Sequence, residues 1–413
     1  MSGQFQALLA DIAQSPDKTI DALSMLSVAE QEQQKRDRKL QSQIAKLSPA
    51  KRALLERQLR ERQRSETIVL RAQKGETVLS FAQQNLWLLD QLNPGNPGYN
   101  RPTHIRLVGA LDTVALEKSL NALVQRHEIL RTRFTTSAEG KPVQTVLAEV
   151  PAIALQTDNL TQLSEPEQQQ IVQERVIAQA HTHFDLIQAP LIKAQLLQLR
   201  EEARAEEHIL LLTFHHIVFD GWSTSILLRD LGLLYAAFVT GQSPALPGLP
   251  VQYADFALWQ QRQLQTPQME DQLAYWKKQL AGQLPILELP TDRPRTANLS
   301  AKGGEHTFTI SQSLKVSLSA IAQQENATLF MVLLAAFKTL IYRYTQEEDI
   351  IIGSPIAGRN TVETEQLIGL FANTLVLRTG LQGEKTFQTL LKQLRQVALD
   401  AFAHQGIPLP KLV

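Results

Sequence analysis

The sequence predicts a mixed α/β (α+β) protein, and three observations carry that expectation. Residues 208–214 form a near-continuous apolar run, which suits a strand buried on both faces. Residues 223–239 follow with Ile226, Leu227, Leu234 and Phe238 at helical spacing. From about Val78 onward, short apolar runs alternate with amphipathic stretches in the same way. Residues 103–108 read as a strand. Residues 111–126 read as a helix, with Leu116, Leu120, Leu123 and Val124 along one face. Further on, 273–280 and 327–344 read as helices, and 349–353 and 374–378 as strands. The Pro- and Gly-rich stretch 241–250 interrupts the pattern and divides the folded part into two lobes, 78–245 and 246–413. No internal repeat is evident.

The first 77 residues have a different character. Residues 1–27 read as a short amphipathic helix (Phe5, Leu8, Leu9, Ile12), a Pro-containing turn and a second apolar patch (Ile20, Leu23, Leu26). Residues 29–66 are rich in Gln, Lys and Arg. Ser48 followed by Pro49 is a helix start, a capping hydroxyl and then a proline at the first helical position. Leu54, Leu55 and Leu59 give that helix one apolar stripe. Residues 1–77 are therefore expected to be a helical extension. It serves either as a linker or docking element for a neighbouring module or as a solvated charged helix without a partner.

Composition narrows the function classes. With 413 residues, and about 150 per domain as a prior, two or three structural units are expected. The 41 basic and 41 acidic residues balance, which argues against a nucleic-acid binder, since phosphate contacts demand a basic excess. The absence of cysteine excludes a disulfide framework, a thiol nucleophile and a Cys-based zinc site. The longest apolar run, 327–337, falls far short of the ~20 residues a membrane helix needs. No basic and apolar leader opens the chain, and a cytoplasmic protein without membrane partners is the expectation.

The segment with most chemical content is Phe214-His-His-Ile-Val-Phe-Asp-Gly-Trp-Ser223, at the end of a buried strand and the start of a helix. A histidine there is aimed from a rigid scaffold and titrates near neutral pH. Asp220 either orients the imidazole of His216 or braces the turn through an arginine. Gly221 lets a ligand backbone or a thioester approach closely. Against this stands the plainer reading of His215 and His216 as a hydrogen-bonded structural pair. A metal site is not expected, because adjacent histidines on extended backbone point in opposite directions and no third ligand has the right spacing. A serine hydrolase is excluded by the lack of a Gly-x-Ser-x-Gly turn.

Over about residues 79–413 the chain resembles the condensation domains of nonribosomal peptide synthetases. The resemblance rests on seven segments in order. They are Leu79-Ser-Phe-Ala-Gln-Gln-Asn-Leu-Trp87 continuing to Asn100, and Arg126-His-Glu-Ile-Leu-Arg-Thr-Arg-Phe134. His215 to Ser223, with the family's His-His-x-x-x-Asp-Gly core, is followed by Tyr253-Ala-Asp-Phe-Ala-Leu-Trp-Gln260. Leu289-Pro-Thr-Asp-Arg-Pro294, Ile368-Gly-Leu-Phe-Ala-Asn-Thr374 and His404-Gln-Gly-Ile-Pro408 complete the set. Asn85 stands where an arginine is usual, and Gly406 and Leu409-Pro410 depart from the late motif.

The resemblance implies two chloramphenicol-acetyltransferase-like lobes arranged as a V around a tunnel. Two peptidyl carrier proteins would present a donor thioester and an acceptor amine on 4'-phosphopantetheine arms, with adenylation and other synthetase modules as further partners and no cofactor bound covalently. It implies that His216 faces the tunnel and acts on the amine, that His215 and Trp222 are supporting residues, and that Asp220 pairs with an arginine. Arg343 and Arg359 are the candidates for that arginine. It also implies closing elements beyond Val413, so the second lobe is expected to be incomplete. The alternatives are an acyltransferase acting on a free alcohol or amine and a non-catalytic scaffold that docks carriers.

Overall fold

The computed structural model describes residues 67–72, 75–200, 206–292, 303, 304, 306–381, 383 and 385–412. The expectations for residues 1–66, for Arg293 and Pro294 of the 289–294 motif, and for Val413 lie outside the described residues. The chain divides into two units, Met1–Thr67 and Ile68–Val413, so the larger unit begins ahead of residue 78. Ile68 is buried in its core, and the Arg71 side chain bonds Glu128 and Asp255, which ties this stretch to the folded body.

The first part of that unit contains β1 (Glu76–Val78), α1 (Phe81–Leu92), β2 (Asn100–Val108), α2 (Thr113–Arg126), β3 (Thr132–Thr136), β4 (Pro142–Val146), β5 (Gln156–Asn159), α3 (Glu165–Ala180), β6 (Ile192–Arg200), β7 (Glu207–His215) and α4 (Ser223–Thr240). There follow α5 (Tyr253–Gln263), α6 (Pro267–Gln279), α7 (Gln312–Gln324), α8 (Leu329–Thr345), β8 (Asp349–Ile356), β9 (Asn373–Gly380) and α9 (Phe387–Ala403). The helices and strands expected from 208–214, 223–239, 111–126, 327–344, 349–353 and 374–378 all form, with ends shifted by one or a few residues. The helix expected at 273–280 starts earlier, because Thr266 and Pro267 open it ahead of the apolar stripe.

Three sheets form, in the orders β1-β4-β3, β2-β7-β6-β5 and β8-β9. Strand β7 lies inside the four-stranded sheet, antiparallel to both β2 and β6, which is why its sequence is apolar on both faces. On one face Leu210, Leu212 and Phe214 meet Leu120 and Leu123 of α2 and Leu227 of α4. On the other, Leu211 packs with Leu197 against Ile171, Val172 and Val176 of α3. Helix α4 stops at Gly241, whose φ of +67° is the left-handed conformation a glycine enters at low cost.

A second core gathers Trp276, Val332, Ala335, Leu377, Leu391 and Leu394 around β8 and β9. Two segments beyond the 241–250 break nevertheless belong to the first core: Tyr253 and Phe256 of α5, and Leu367–Phe371 in the connection from β8 to β9. That connection reaches the end of β7 and brings the two halves of the sequence together there.

Candidate functional site

Helix α1 is the near wall of the loop that follows β7. Ser80 and Gln83 form a capping box, and Gln83 Nε2 also donates to the Ile217 carbonyl at 3.2 Å, so the opening motif fixes the histidine loop. At the end of β7, His215 is 3% exposed and lies among Tyr99 and Phe184. Its Nδ1 accepts from the Ile217 N–H at 3.2 Å, and burial pushes its imidazole down to about 4. It is a neutral packing residue of the turn.

His216 opens a turn of 3-10 helix spanning His216–Val218 and, alone among residues 210–220, is only partly buried. Its Nδ1 lies 2.6 Å from the Phe219 carbonyl. A carbonyl only accepts, so Nδ1 carries the proton and Nε2 is left with its lone pair. Burial lowers the pKa of this imidazole and Arg101 adds to the effect, against the Phe219 carbonyl and Asp220, which raise it. The ring is a neutral acceptor presented from a fixed backbone.

Asp220 does not orient that ring. It is 2% exposed, and Oδ1 accepts from Ser223 N at 2.9 Å, Ser223 Oγ at 2.7 Å and an Arg359 guanidinium nitrogen at 3.1 Å. Its Oδ2 accepts from Phe371 N at 3.1 Å. Arg359 is the arginine that pairs with it, and Arg343 is not, being exposed in the last turn of α8. The same Arg359 fork donates to the carbonyls of Thr364 and Leu367 and lies 4.0 Å above the Phe371 ring centroid.

Gly221 is exposed, and a Cβ added there would meet nothing within 4 Å. Its residue type is therefore not demanded by the packing of the protein itself. Trp222 is 46% exposed, with its indole N–H donating to the Glu365 carbonyl at 3.3 Å.

Three residues that sequence reasoning does not single out complete this network. Ser223, fully buried, accepts from Gly369 N at 3.1 Å, and its position three after Asp220 at a helix start is the available signal. Tyr253 donates to the Leu370 carbonyl at 2.5 Å and stands 2.8 Å from Ser80 Oγ, while burial pushes its hydroxyl pKa up. Gly369 admits Tyr253, since a Cβ there would come within 2.1 Å of the ring. The second motif is also structural: His127, 1% exposed, bonds Asp230 at 3.1 Å, and Arg126 bonds the same carboxylate at 3.0 Å. Among the described residues no cluster of three or more His, Cys, Asp or Glu is arranged to hold a metal ion. No single helix among them is long and apolar enough to cross a membrane.

Residues 73–413 match the family described as Condensation domain. One of the linear gramicidin synthase proteins of Brevibacillus parabrevis is 48% identical over 335 residues, which are 81% of this chain and 6% of that protein. The chain thus spans only a small part of that relative. SgcC5 from Streptomyces globisporus, crystallised with (R)-(-)-1-(2-naphthyl)-1,2-ethanediol and sucrose, is 30% identical with a TM-score of 0.68, covering 81% of this chain and 75% of that one. The first condensation domain of the calcium-dependent antibiotic synthetase, at 22% identity and a TM-score of 0.68, covers 82% of this chain and 77% of its own, and shares the fold. With its mixed α/β, chloramphenicol-acetyltransferase-like fold and a His-His-x-x-x-Asp-Gly loop at the end of a central strand, this chain belongs to the condensation-domain family.

Proposed function

We propose that the chain is an acyltransferase that forms an amide bond between two carrier-bound thioesters in nonribosomal peptide synthesis. The observation that carries this reading is His216, an imidazole fixed through Nδ1 with Nε2 unprotonated, on a residue that is only partly buried in an otherwise buried stretch. A donor acyl or aminoacyl group arrives as a thioester on the 4'-phosphopantetheine arm of one peptidyl carrier protein. An acceptor aminoacyl thioester arrives on a second. Adenylation and other synthetase modules supply both.

The acceptor nitrogen attacks the donor carbonyl carbon, the C–N bond forms and the C–S bond breaks. The donor arm leaves as a thiol once it has taken the proton the nitrogen sheds. His216 Nε2 accepts a hydrogen bond from the amine, which points the nitrogen lone pair at the carbonyl, and it can relay the proton afterwards. Asp220 and Arg359 hold the loop, His215 and Trp222 support it, and the open space at Gly221 suits passage of a thioester arm. A second reading changes only the acceptor. The diol bound to SgcC5 makes a free alcohol or amine the other class to test.

The test is an intact-mass assay with an aminoacyl-loaded donor carrier, an aminoacyl-loaded acceptor carrier, and His216→Ala alongside. A dipeptidyl acceptor carrier formed by the wild-type chain and reduced at least ~100-fold in the variant is expected. Product on a free alcohol or amine, with none on the acceptor carrier, would establish the second reading. No product from a cooperatively folded chain, across several substrate pairs, would overturn both in favour of a carrier-docking scaffold.

A further inference from the structure

Strands β2 and β7 run antiparallel, with Asn100 opposite His215 and Arg101 opposite Phe214. Opposed residues share a face of the sheet, and successive residues alternate between faces. Asn100 and His215 are turned toward the end of α3. The Asn100 side chain donates to the Ala180 carbonyl at 2.8 Å and the Thr182 carbonyl at 2.7 Å, and His215 meets Phe184 edge-on. Arg101 shares its face with Phe214, and His216, two residues after Phe214 and one beyond the strand, follows a still-extended His215, so Arg101 and His216 are diagonal neighbours at the same end of the two strands.

Their proximity is also electrostatic, since Arg101 is among the groups that act on the His216 imidazole. Arg71, Arg126 and Arg359 each pair with a buried carboxylate. Arg101, by contrast, is exposed and takes part in none of the ion pairs found among the described residues. Among the described residues, no group packed on the histidine loop forms an ion pair with Arg101. Asp220 is turned to Arg359 and Phe371 N, His215 lies on the opposite face, and α1 contributes the uncharged Gln83 amide.

We infer that Arg101 supplies the positive charge facing the reacting thioester beside His216 and stabilises the oxygen anion formed there. This rests on the amide-forming reaction proposed above. When the acceptor nitrogen adds to the carbonyl carbon, the π pair moves onto oxygen and leaves O⁻. When the C–S bond breaks, that pair returns, and the departing sulfur takes the proton lost by nitrogen. A guanidinium at this position offers charge-assisted donors to the O⁻. The same charge disfavours an ammonium beside His216, so the nucleophile is held in its neutral form.

Arg101→Gln and Arg101→Lys test this in single-turnover condensation at saturating carrier concentrations. Arg101→Gln is expected to slow the reaction about 100-fold with the apparent KM for each carrier changed less than about twofold. Arg101→Lys is expected to recover most of the rate. The acid limb of the rate–pH profile should move to higher pH in Arg101→Gln, because removing a cation raises the pKa of the imidazole. An NMR titration of His216 should move in the same direction without any turnover. A wild-type rate in Arg101→Gln, a loss confined to KM, or an unmoved His216 titration each overturns the inference; the loss in KM would make Arg101 a carrier contact. If the folded wild-type chain forms no amide, the proposed reaction fails, and the titration alone then decides whether the Arg101 charge reaches His216.

Discussion

Asp220 and Arg359 have side chains that are each 2% exposed, so neither charge has water to fall back on. Removing one partner of such a pair leaves the other buried and uncompensated. Arg359→Ala should cost about 3–5 kcal/mol in equilibrium urea unfolding, and Arg359→Lys, which keeps the charge without the fork, should lose less. A loss below ~1 kcal/mol would mean the pair is not what holds the loop. His215 makes a separate prediction through pH. Its folded value of about 4 lies below the ordinary 6.5, so between those values the unfolded chain binds more protons than the folded one. The contribution of His215 is therefore intact above about 6.5 and lost progressively as pH falls toward about 4. A shift of that size corresponds to roughly 3 kcal/mol. Denaturation series from pH 7 to pH 4.5 should show a shallower fall for His215→Gln than for the wild-type chain.

Among the secondary-structure elements, α8 and the β8–β9 pair depend on a lysine. Lys338 projects from α8 beneath the two strands and is fully buried, with Nζ donating to the Ile350 carbonyl at 3.0 Å, the Leu377 carbonyl at 2.7 Å and Thr379 Oγ1 at 2.8 Å. All three ammonium hydrogens are thereby used, and the helix is fastened to both strands by one side chain. Lys338→Ala leaves a cavity and strips these acceptors, and should cost about 2–5 kcal/mol. Lys338→Met refills most of the volume and should cost less. Calorimetric melting of both variants distinguishes them, and equal losses would show that the hydrogen bonds outweigh packing. In the connection between the same strands, Gly358 has a φ of +65°, and a Cβ there would meet the Phe371 carbonyl oxygen at 1.9 Å. The chain can therefore turn back toward Asp220 only with glycine at that position.

Across the folded unit as a whole, the two hydrophobic cores do not part at the Pro- and Gly-rich break, since Arg359 and the 367–371 segment of the β8–β9 connection, a loop between two strands of the second core, are held on the first. Tyr253, Ser223 and the 367–371 segment bring together residues from α1, α4, α5 and the β8–β9 connection. Native-state hydrogen exchange on Arg359→Ala should therefore show loss of protection in β8 and β9 as well as at the start of α4. Exchange that rises only around α4 would show that the cores open independently.

The family, the buried strand β7, the helices with strong apolar stripes and the identity of the histidine loop are all legible in the amino-acid order, because they are local patterns of apolar spacing and motif succession. Which arginine meets Asp220 is not. Arg343 and Arg359 are equally basic as letters in the chain, and only the path of the β8–β9 connection brings one of them 139 positions back to the carboxylate. Polar elements are hidden in a similar way. Helix α3 carries few apolar residues; Ile171, Val172 and Val176 pack on the sheet, and Gln168 and Gln179 reach it by hydrogen bonds to the Leu199 and Leu211 carbonyls. Packing also settles whether Asp220 orients His216 or braces the loop. Its oxygens are filled by donors at 223, 359 and 371, while the imidazole is fixed by the Phe219 carbonyl within its own turn. Hydrogen-bond donors from distant parts of a chain leave no periodic trace in it, and only packing brings them to one oxygen.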